Sequence, residues 1–91
     1  MASTKTAPAD AGFVDIELSR PLQIDGANVS ALRMREPTVA DQLAMEEMKG
    51  TDGAKEIGMF ANLCEVSPDD IKKLTLKDYK KVQATFLGFT V

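Results

Sequence analysis

Histidine and tryptophan are absent from the 91-residue chain, and cysteine occurs once. Without histidine the chain lacks the usual general base, the serine and cysteine triads that depend on it, and the commonest transition-metal ligand. Because Cys64 is alone, an intramolecular disulfide and a CxxC redox or zinc motif are both excluded. We therefore predict a protein without catalytic residues, cofactor or metal, suited to a reducing cytoplasm.

Long apolar runs and phosphate-binding loops are also missing. No stretch approaches the about 20 apolar residues that span a bilayer, and residues 1–10 lack the apolar segment of a secretory signal. Neither a GxxxxGK[ST] loop nor a GxGxxG turn occurs. With 11 basic and 14 acidic residues, the net charge of −3 does not attract nucleic acid or anionic lipid. We expect a soluble cytoplasmic protein that binds neither nucleic acid nor membrane.

The overall composition, with 44% hydrophobic and 27% charged residues, is typical of a soluble globular domain. We place a single α+β domain at residues 13–91 and a disordered arm at residues 1–12, where no apolar periodicity occurs. A peptide that docks on a neighbouring subunit is the alternative for the arm. A domain this small buries only about 60% of its unfolded surface, so an oligomer or a bound partner would add stability.

The first half of the domain has the pattern of a β-hairpin at residues 13–35. Residues 13–24 alternate apolar and polar side chains, with a bulge or bend expected at Pro21, which has no amide to donate. Asp25-Gly26 is a strong signal for a type I′ turn, since both central residues need positive φ. In the return strand, residues 28–35, Val29 would point to one face of the sheet and Leu32 and Met34 to the other. This change predicts a register irregularity near Ser30.

Capping signals in the second half predict three to four short helices, at residues 38–89, packed on one face of the hairpin. The predicted helices run from about Val39 to Lys49, from Thr51 or Asp52 to about Cys64, from Ser67 to Lys73, and from Thr75 to Phe89. We expect capping boxes at Thr38–Asp41, Ser67–Asp70 and Thr75–Asp78.

The apolar side chains of these helices exceed what a two-stranded sheet can easily bury. In the first helix the predicted apolar arc contains Val39 and Leu43, which leaves Met45 on the polar side. Met59 likewise lies off the arc of the second helix, whereas core filling is favoured for Met34 and Met48. Because methionine adapts to varied surfaces, we hypothesise a partner-binding surface formed by Met45, Met59, Tyr79, Val82, Phe86 and Phe89.

Three other features have a structural interpretation that we favour over a chemical one. Asp69-Asp70 follows Ser67-Pro68 in a first helical turn, so capping explains it better than a Mg²⁺ site. Cys64 lies on an apolar helix face, where a thiol without an activating base is inert. A solvated helix face, not a nucleic-acid site, is the favoured interpretation of lysines 72, 73, 77, 80 and 81.

Two segments carry a specific pattern of turn and cap residues. The first comprises Ile16-Glu-Leu-Ser-Arg-Pro21-Leu-Gln-Ile-Asp25-Gly26 and Val29-Ser-Ala-Leu32-Arg-Met-Arg35-Glu36-Pro37-Thr38-Val-Ala-Asp41. The second comprises Leu63–Val66, Ser67-Pro68-Asp69-Asp70-Ile71, Leu74 and Asp78-Tyr79. Over residues 14–89 the chain resembles the tail assembly chaperones of contractile-tailed phages, the family typified by P2-like and Mu-like phages.

This resemblance implies a protein of the host cytoplasm that binds the tape measure protein and other tail proteins. It implies that the chaperone keeps the tape measure soluble while the tail tube polymerises around it, and that it is absent from the finished virion. Some members are also made in a frameshifted longer form. The resemblance supplies no catalytic residue or cofactor, and a homo-oligomer is compatible with it. The alternatives are a structural tail subunit and a small acidic regulatory protein-binding module, an enzyme being the weakest.

Overall fold

A computed structural model describes residues 12–91, and these form an α+β structure in which four helices follow an antiparallel hairpin. The predicted fold class is thereby confirmed. The elements are β1 (Phe13–Ile24), β2 (Ala27–Arg35), α1 (Val39–Glu46), α2 (Asp52–Cys64), α3 (Pro68–Lys72) and α4 (Leu76–Phe89). The arm predicted at residues 1–12 lies outside the described residues, apart from Gly12.

The hairpin turn has the geometry that its sequence predicts. Asp25 and Gly26 have φ values of 52° and 82°, and Ile24 pairs directly with Ala27 across them. Two successive positive φ values define a type I′ turn, whose twist matches that of the flanking strands. The sequence therefore determines both where the chain reverses and which residues start the ladder.

An irregularity divides the ladder into two regular parts. Glu17 pairs with Ala31 and Leu22 with Val29, so the segment Leu18–Pro21 lies opposite Ser30 alone. The predicted bulge at Pro21 and the predicted irregularity near Ser30 are thus the same feature. Along β2 the apolar residues change from an odd-numbered position, Val29, to even-numbered positions, Leu32 and Met34. The irregularity compensates for this change and keeps the apolar side chains of both strands on one face of the sheet.

All four helices begin after a hydroxyl N-cap, but one predicted capping box is wrong. The boxes at Thr38–Asp41 and Ser67–Asp70 are complete. At α4 the Thr75 hydroxyl accepts the Asp78 amide, as predicted, but the Asp78 carboxylate does not return to Thr75. It accepts hydrogen bonds from the Ser19 amide at 2.9 Å, the Ser19 hydroxyl at 3.1 Å and the Arg20 amide at 3.4 Å.

The contact between Asp78 and the bulge joins α4 to β1. Asp78 is fully buried, and the Lys81 ammonium lies 3.8 Å from its carboxylate. Burial alone would raise the pKa of Asp78, but the hydrogen bonds from Ser19 and Arg20 and the charge of Lys81 outweigh it, so the pKa is lowered. The carboxylate is therefore ionised at neutral pH and satisfies amides that the bulge removes from the ladder.

The hydrophobic core lies between the inner face of the hairpin and α2, α3 and α4. Its most completely buried apolar side chains are Phe60, Met34, Leu63, Ile71 and Val82. Met34 is therefore a core residue, as predicted, and Cys64, at 7% exposure, is one as well. Met59 also belongs to the core, at 4% exposure, so its predicted position off the apolar face of α2 is wrong.

The orientation of α1 differs from the one predicted. The two terminal guanidinium nitrogens of Arg35 each donate to one oxygen of the Asp41 carboxylate, both at 2.8 Å. This pairing turns the Asp41 side of α1 towards the hairpin. Met45 lies one turn further along that side and packs against the core, whereas Val39 and Leu43 are 78% and 55% exposed. The predicted apolar arc was therefore wrong, and the helix ends at Glu46, before the predicted Lys49.

Acid should destabilise this structure through its paired aspartates. Hydrogen bonds from Arg35 are the main cause that lowers the pKa of Asp41, and Asp78 is also lowered. A carboxyl with a lower pKa in the folded state stabilises the fold above its unfolded pKa of about 3.9, and this contribution disappears as pH falls through the folded pKa. We expect urea titrations to give a constant unfolding free energy from about pH 7 to 5 and a decline below about pH 4. A smaller decline is expected for the variant Asp78→Asn, and an unchanged free energy at about pH 3 would contradict the assignment.

Candidate functional site

An apolar groove lies between α1, the first turns of α2 and the end of α4. Its volume is about 600 Å³, and its apolar lining comes from Pro37, Val39, Met45, Met59 and Phe86. Met59 forms part of the buried floor, and Met45 is half-buried. We call this concavity the helical groove.

One ion pair and two aromatic contacts fix the walls of the helical groove. The pairing of Arg35 with Asp41 sets the orientation of α1, as described above. The ring of Phe60, on α2, contacts Phe86 at a centroid distance of 5.6 Å and Tyr79 at 5.8 Å, both tilted. Tilted aromatic pairs of this kind are favourable beyond the area they bury. The helical walls of the groove are therefore held in place by contacts within the folded structure.

The polar lining of the groove comes from Thr38, Gln42, Asp52, Lys55, Glu56 and Thr90. Of these, Glu56 on α2 is tied to α4 by hydrogen bonds. One oxygen of Glu56 accepts the Tyr79 hydroxyl at 2.5 Å and the Gln83 amide at 3.0 Å. Burial raises the pKa of Tyr79 well above its ordinary value, and the neighbouring Glu56 raises it further. Tyr79 therefore stays protonated at neutral pH and acts as a fixed donor that holds α4 against α2.

Several large exposed apolar side chains lie on α1 and at the end of α4, and of these Val39 lines the helical groove. Val39 and Leu43 lie one turn apart on α1, and Leu87, at 59% exposure, and the terminal Val91 lie at the end of α4. In the part of the chain that the structure describes, the other large exposed apolar residue is Leu76. A groove bordered by exposed apolar residues is typical of a protein-binding surface.

The structure separates the six residues predicted to bind a partner. Met45, Met59 and Phe86 line the helical groove together. Tyr79 and Phe89 are half-buried and pack against the core, outside the groove lining. Val82 is fully buried, so its assignment to an accessible surface is corrected: it packs the core beneath α4.

Sequence reasoning missed Val39 and Leu43 as exposed residues of the groove region. Their spacing of four residues was visible, but the same spacing is equally typical of a core-facing stripe. The orientation of α1 distinguishes the two cases, and it depends on the ion pair between Arg35 and Asp41.

The features interpreted as structural at the outset have structural partners. Burial raises the pKa of the Cys64 thiol to about 11, which keeps it protonated. The Asp70 carboxylate accepts the Ser67 amide at 3.1 Å, as a capping residue should. Lys73 and Lys81 donate to main-chain carbonyls of β1, so those two lysines do more than solvate a helix face.

Metal-binding and membrane-spanning features are not found between residues 12 and 91. No group of three or more cysteine, aspartate or glutamate side chains in this range is arranged to hold a metal ion. None of the helices described is long and apolar enough to cross a membrane.

Comparison with known proteins gives one positive result. A protein-family model described as "Phage tail assembly chaperone proteins, E, or 41 or 14" matches residues 15–91. No curated protein and no solved structure matches the chain. The family match begins two residues into β1 and includes the whole hairpin turn, all four helices and the helical groove. The chain therefore belongs to the phage tail assembly chaperone family.

Proposed function

We propose that this protein binds the tape measure protein of its phage in the host cytoplasm and keeps it soluble while the tail tube assembles. Membership of the tail assembly chaperone family supports a role of this kind. The observation that carries the proposal is the apolar helical groove bordered by the exposed Val39 and Leu43. The action is one of binding, with no catalytic step.

An amphipathic helix is the ligand that such a groove accommodates. The volume of about 600 Å³ is comparable to the about 300–1,000 Å³ of small-molecule pockets, so it has room for a few apolar side chains of a partner. Helix-in-groove recognition places anchors at spacings of three and four residues, as on a long helical partner. Covering such a stripe removes the apolar surface through which an unassembled partner would aggregate.

The test is coexpression of the chain with the tape measure protein, comparing Val39→Glu with Leu76→Glu. Each residue is the first of its helix, follows a threonine N-cap, and is 78% or 77% exposed, respectively. The two substitutions therefore add the same charge at equivalent positions of a helix dipole, but only Val39 lines the groove. We expect Val39→Glu to weaken binding of the tape measure by about tenfold, which corresponds to about 1.4 kcal/mol, and thereby to lower the yield of soluble tape measure.

Leu76→Glu is the matched control and should retain the wild-type yield of soluble tape measure. Circular dichroism of both purified variants verifies that the fold is intact. Equal yields for both variants would contradict binding in the groove. A tape measure that is equally soluble without the chaperone would contradict the proposed function itself.

Mass spectrometry of purified virions separates the chaperone from a structural tail subunit. A chaperone that leaves during assembly should be absent or present only in traces. Many copies for each particle would favour the structural subunit, and association with a host protein in place of the tape measure would favour a regulatory module.

A further inference from the structure

The charged residues that line the helical groove form no ion pairs within residues 12–91. The lining contains Asp52, Lys55 and Glu56. None of the ion pairs among the described residues involves Lys55, and their carboxylates are those of Asp15, Asp41, Asp69, Asp70 and Asp78. Charges that the fold does not pair are available to a partner, where complementary charges give specificity.

Negative charge exceeds positive charge around the groove. Asp52 and Glu56 line it from α2 beside Lys55, and the remaining described residues of the lining are uncharged. On α1, Glu46 lies one turn beyond Gln42, a residue of the lining, and accepts its side-chain amide at 3.4 Å. Carboxylates on both helices therefore accompany a single ammonium group at this described surface.

Glu56 remains able to bind a cation although it is bonded within the fold. The Tyr79 hydroxyl and the Gln83 amide both donate to one oxygen, Oε1. Neither bond involves Oε2, and a carboxylate has about four acceptor sites on its two oxygens. Because Tyr79 and Gln83 hold the side chain in place, a basic group of a partner meets an acceptor that is already oriented.

The end of α4 adds partial negative charge to the same surface. Phe86 and Thr90 line the groove, and the last turn of α4 contains no basic residue. The carbonyl groups at a helix C-terminus carry a partial negative charge. The N-terminus of α2 carries about half a positive charge, which is less than the full charge of Asp52 in its first turn.

The lysines near the groove do not neutralise its carboxylates. Lys77, Lys80 and Lys81 lie in the first two turns of α4. It is the end of α4 that reaches the groove. Lys49, in the connection between α1 and α2, is matched in charge by Glu47. The groove therefore favours a partner with positive charge.

A second copy of this chain offers no described helix with an accessible apolar stripe and basic borders. Lysine is concentrated on α4, but the apolar stripe of α4 faces the core: Val82 is fully buried, and Phe86 contacts Phe60 at a centroid distance of 5.6 Å. The helices α1, α2 and α3 each carry a net negative charge. These observations favour a different protein as the occupant of the groove.

We propose that the helical groove binds an amphipathic helix whose apolar stripe is bordered by lysine or arginine. The inference rests on the function proposed above and specifies which class of tape measure segment binds. Long basic side chains lay their methylene groups on apolar surface and extend their charged ends to carboxylates, here those of Glu46, Asp52 and Glu56. A helix with acidic borders would place like charges together, which selects against it.

Limited proteolysis of the purified complex with the tape measure protein identifies the bound segment. We expect the fragment that the chain protects to have apolar residues at spacings of three and four and an excess of lysine and arginine over acidic residues. A protected fragment that is neutral or acidic would overturn this proposal but not the proposed function. If the tape measure does not copurify with the chain, the proposed function fails, and this proposal fails with it.

The variant Asp52→Asn, compared with Asp69→Asn, tests where the charge acts. Both aspartates are exposed and lie in the first turn of a helix, but only Asp52 lines the groove. The measurement is fluorescence anisotropy of a labelled peptide with the sequence of the protected fragment. We expect its affinity to fall about threefold for Asp52→Asn and to stay at the wild-type level for Asp69→Asn. Equal affinities of the two variants would overturn the proposal.

Lys55→Gln should have the opposite effect, because it removes the ammonium group from the lining. We expect the affinity for the same peptide to rise about threefold. Lys72→Gln, at the end of α3, is the control and should leave the affinity unchanged. A lower affinity for Lys55→Gln would show that the partner presents carboxylates. Dimerisation of the chain alone that Val39→Glu abolishes would show that a second copy occupies the groove, and either result would overturn the proposal.

Discussion

Replacing Phe60 with alanine should remove about 3–5 kcal/mol from the free energy of unfolding. Phe60 is 1% exposed and contacts Tyr79 and Phe86 through tilted ring pairs, so its ring joins α2 to two turns of α4. The substitution leaves a cavity where these elements meet, and the core is too small for neighbouring side chains to fill it. Small domains have a total stability of about 5–15 kcal/mol, so we expect the variant to be largely destabilised.

Urea denaturation followed by circular dichroism measures this effect. Phe60→Leu retains most of the apolar contact and should lose considerably less stability than the alanine variant. Leu87→Ala, at a site that is 59% exposed, should change stability only slightly. A loss below about 1 kcal/mol for Phe60→Ala would show that α2 and α4 are held together mainly by other contacts.

Replacing Asp78 with alanine should remove about 2–4 kcal/mol from the free energy of unfolding. The Asp78 carboxylate accepts both amides of the bulge segment Ser19-Arg20 and the Ser19 hydroxyl, and it has no exposure to solvent. Without the carboxylate these donors lose their partner, and the Lys81 ammonium loses its counter-charge. The cost is that of unsatisfied polar groups, which exceeds the cost of a lost surface hydrogen bond.

The control for Asp78 is Asp69→Ala. Asp69 also lies in the first turn of a helix, but its side chain is 90% exposed. We therefore expect Asp69→Ala to retain nearly all of the wild-type stability. Amide hydrogen exchange locates the effect: Asp78→Ala should increase exchange at Ser19 and Arg20 more than at Ile24 and Ala27, next to the turn. Uniform acceleration along the hairpin would indicate that Asp78 supports the whole structure and not the bulge in particular.

Local features of this protein follow from short segments of sequence. The Asp25-Gly26 turn, the irregularity opposite Ser30 and the four hydroxyl N-caps depend on backbone geometry within a few residues. The α+β fold and the chaperone family were also evident, since they depend on the order of these local signals. The absence of histidine alone removed most catalytic mechanisms from consideration.

Only the tertiary structure decided how these elements face one another. The sequence predicts that the Asp78 carboxylate caps its own helix, but in the structure it accepts hydrogen bonds from the bulge amides of Ser19 and Arg20, 59 and 58 residues away. Similarly, Arg35 turns Asp41 and Met45 inward, which leaves Val39 and Leu43 beside the groove. Helical periodicity defines a stripe but not the direction in which it points, because that direction depends on contacts between residues distant in sequence.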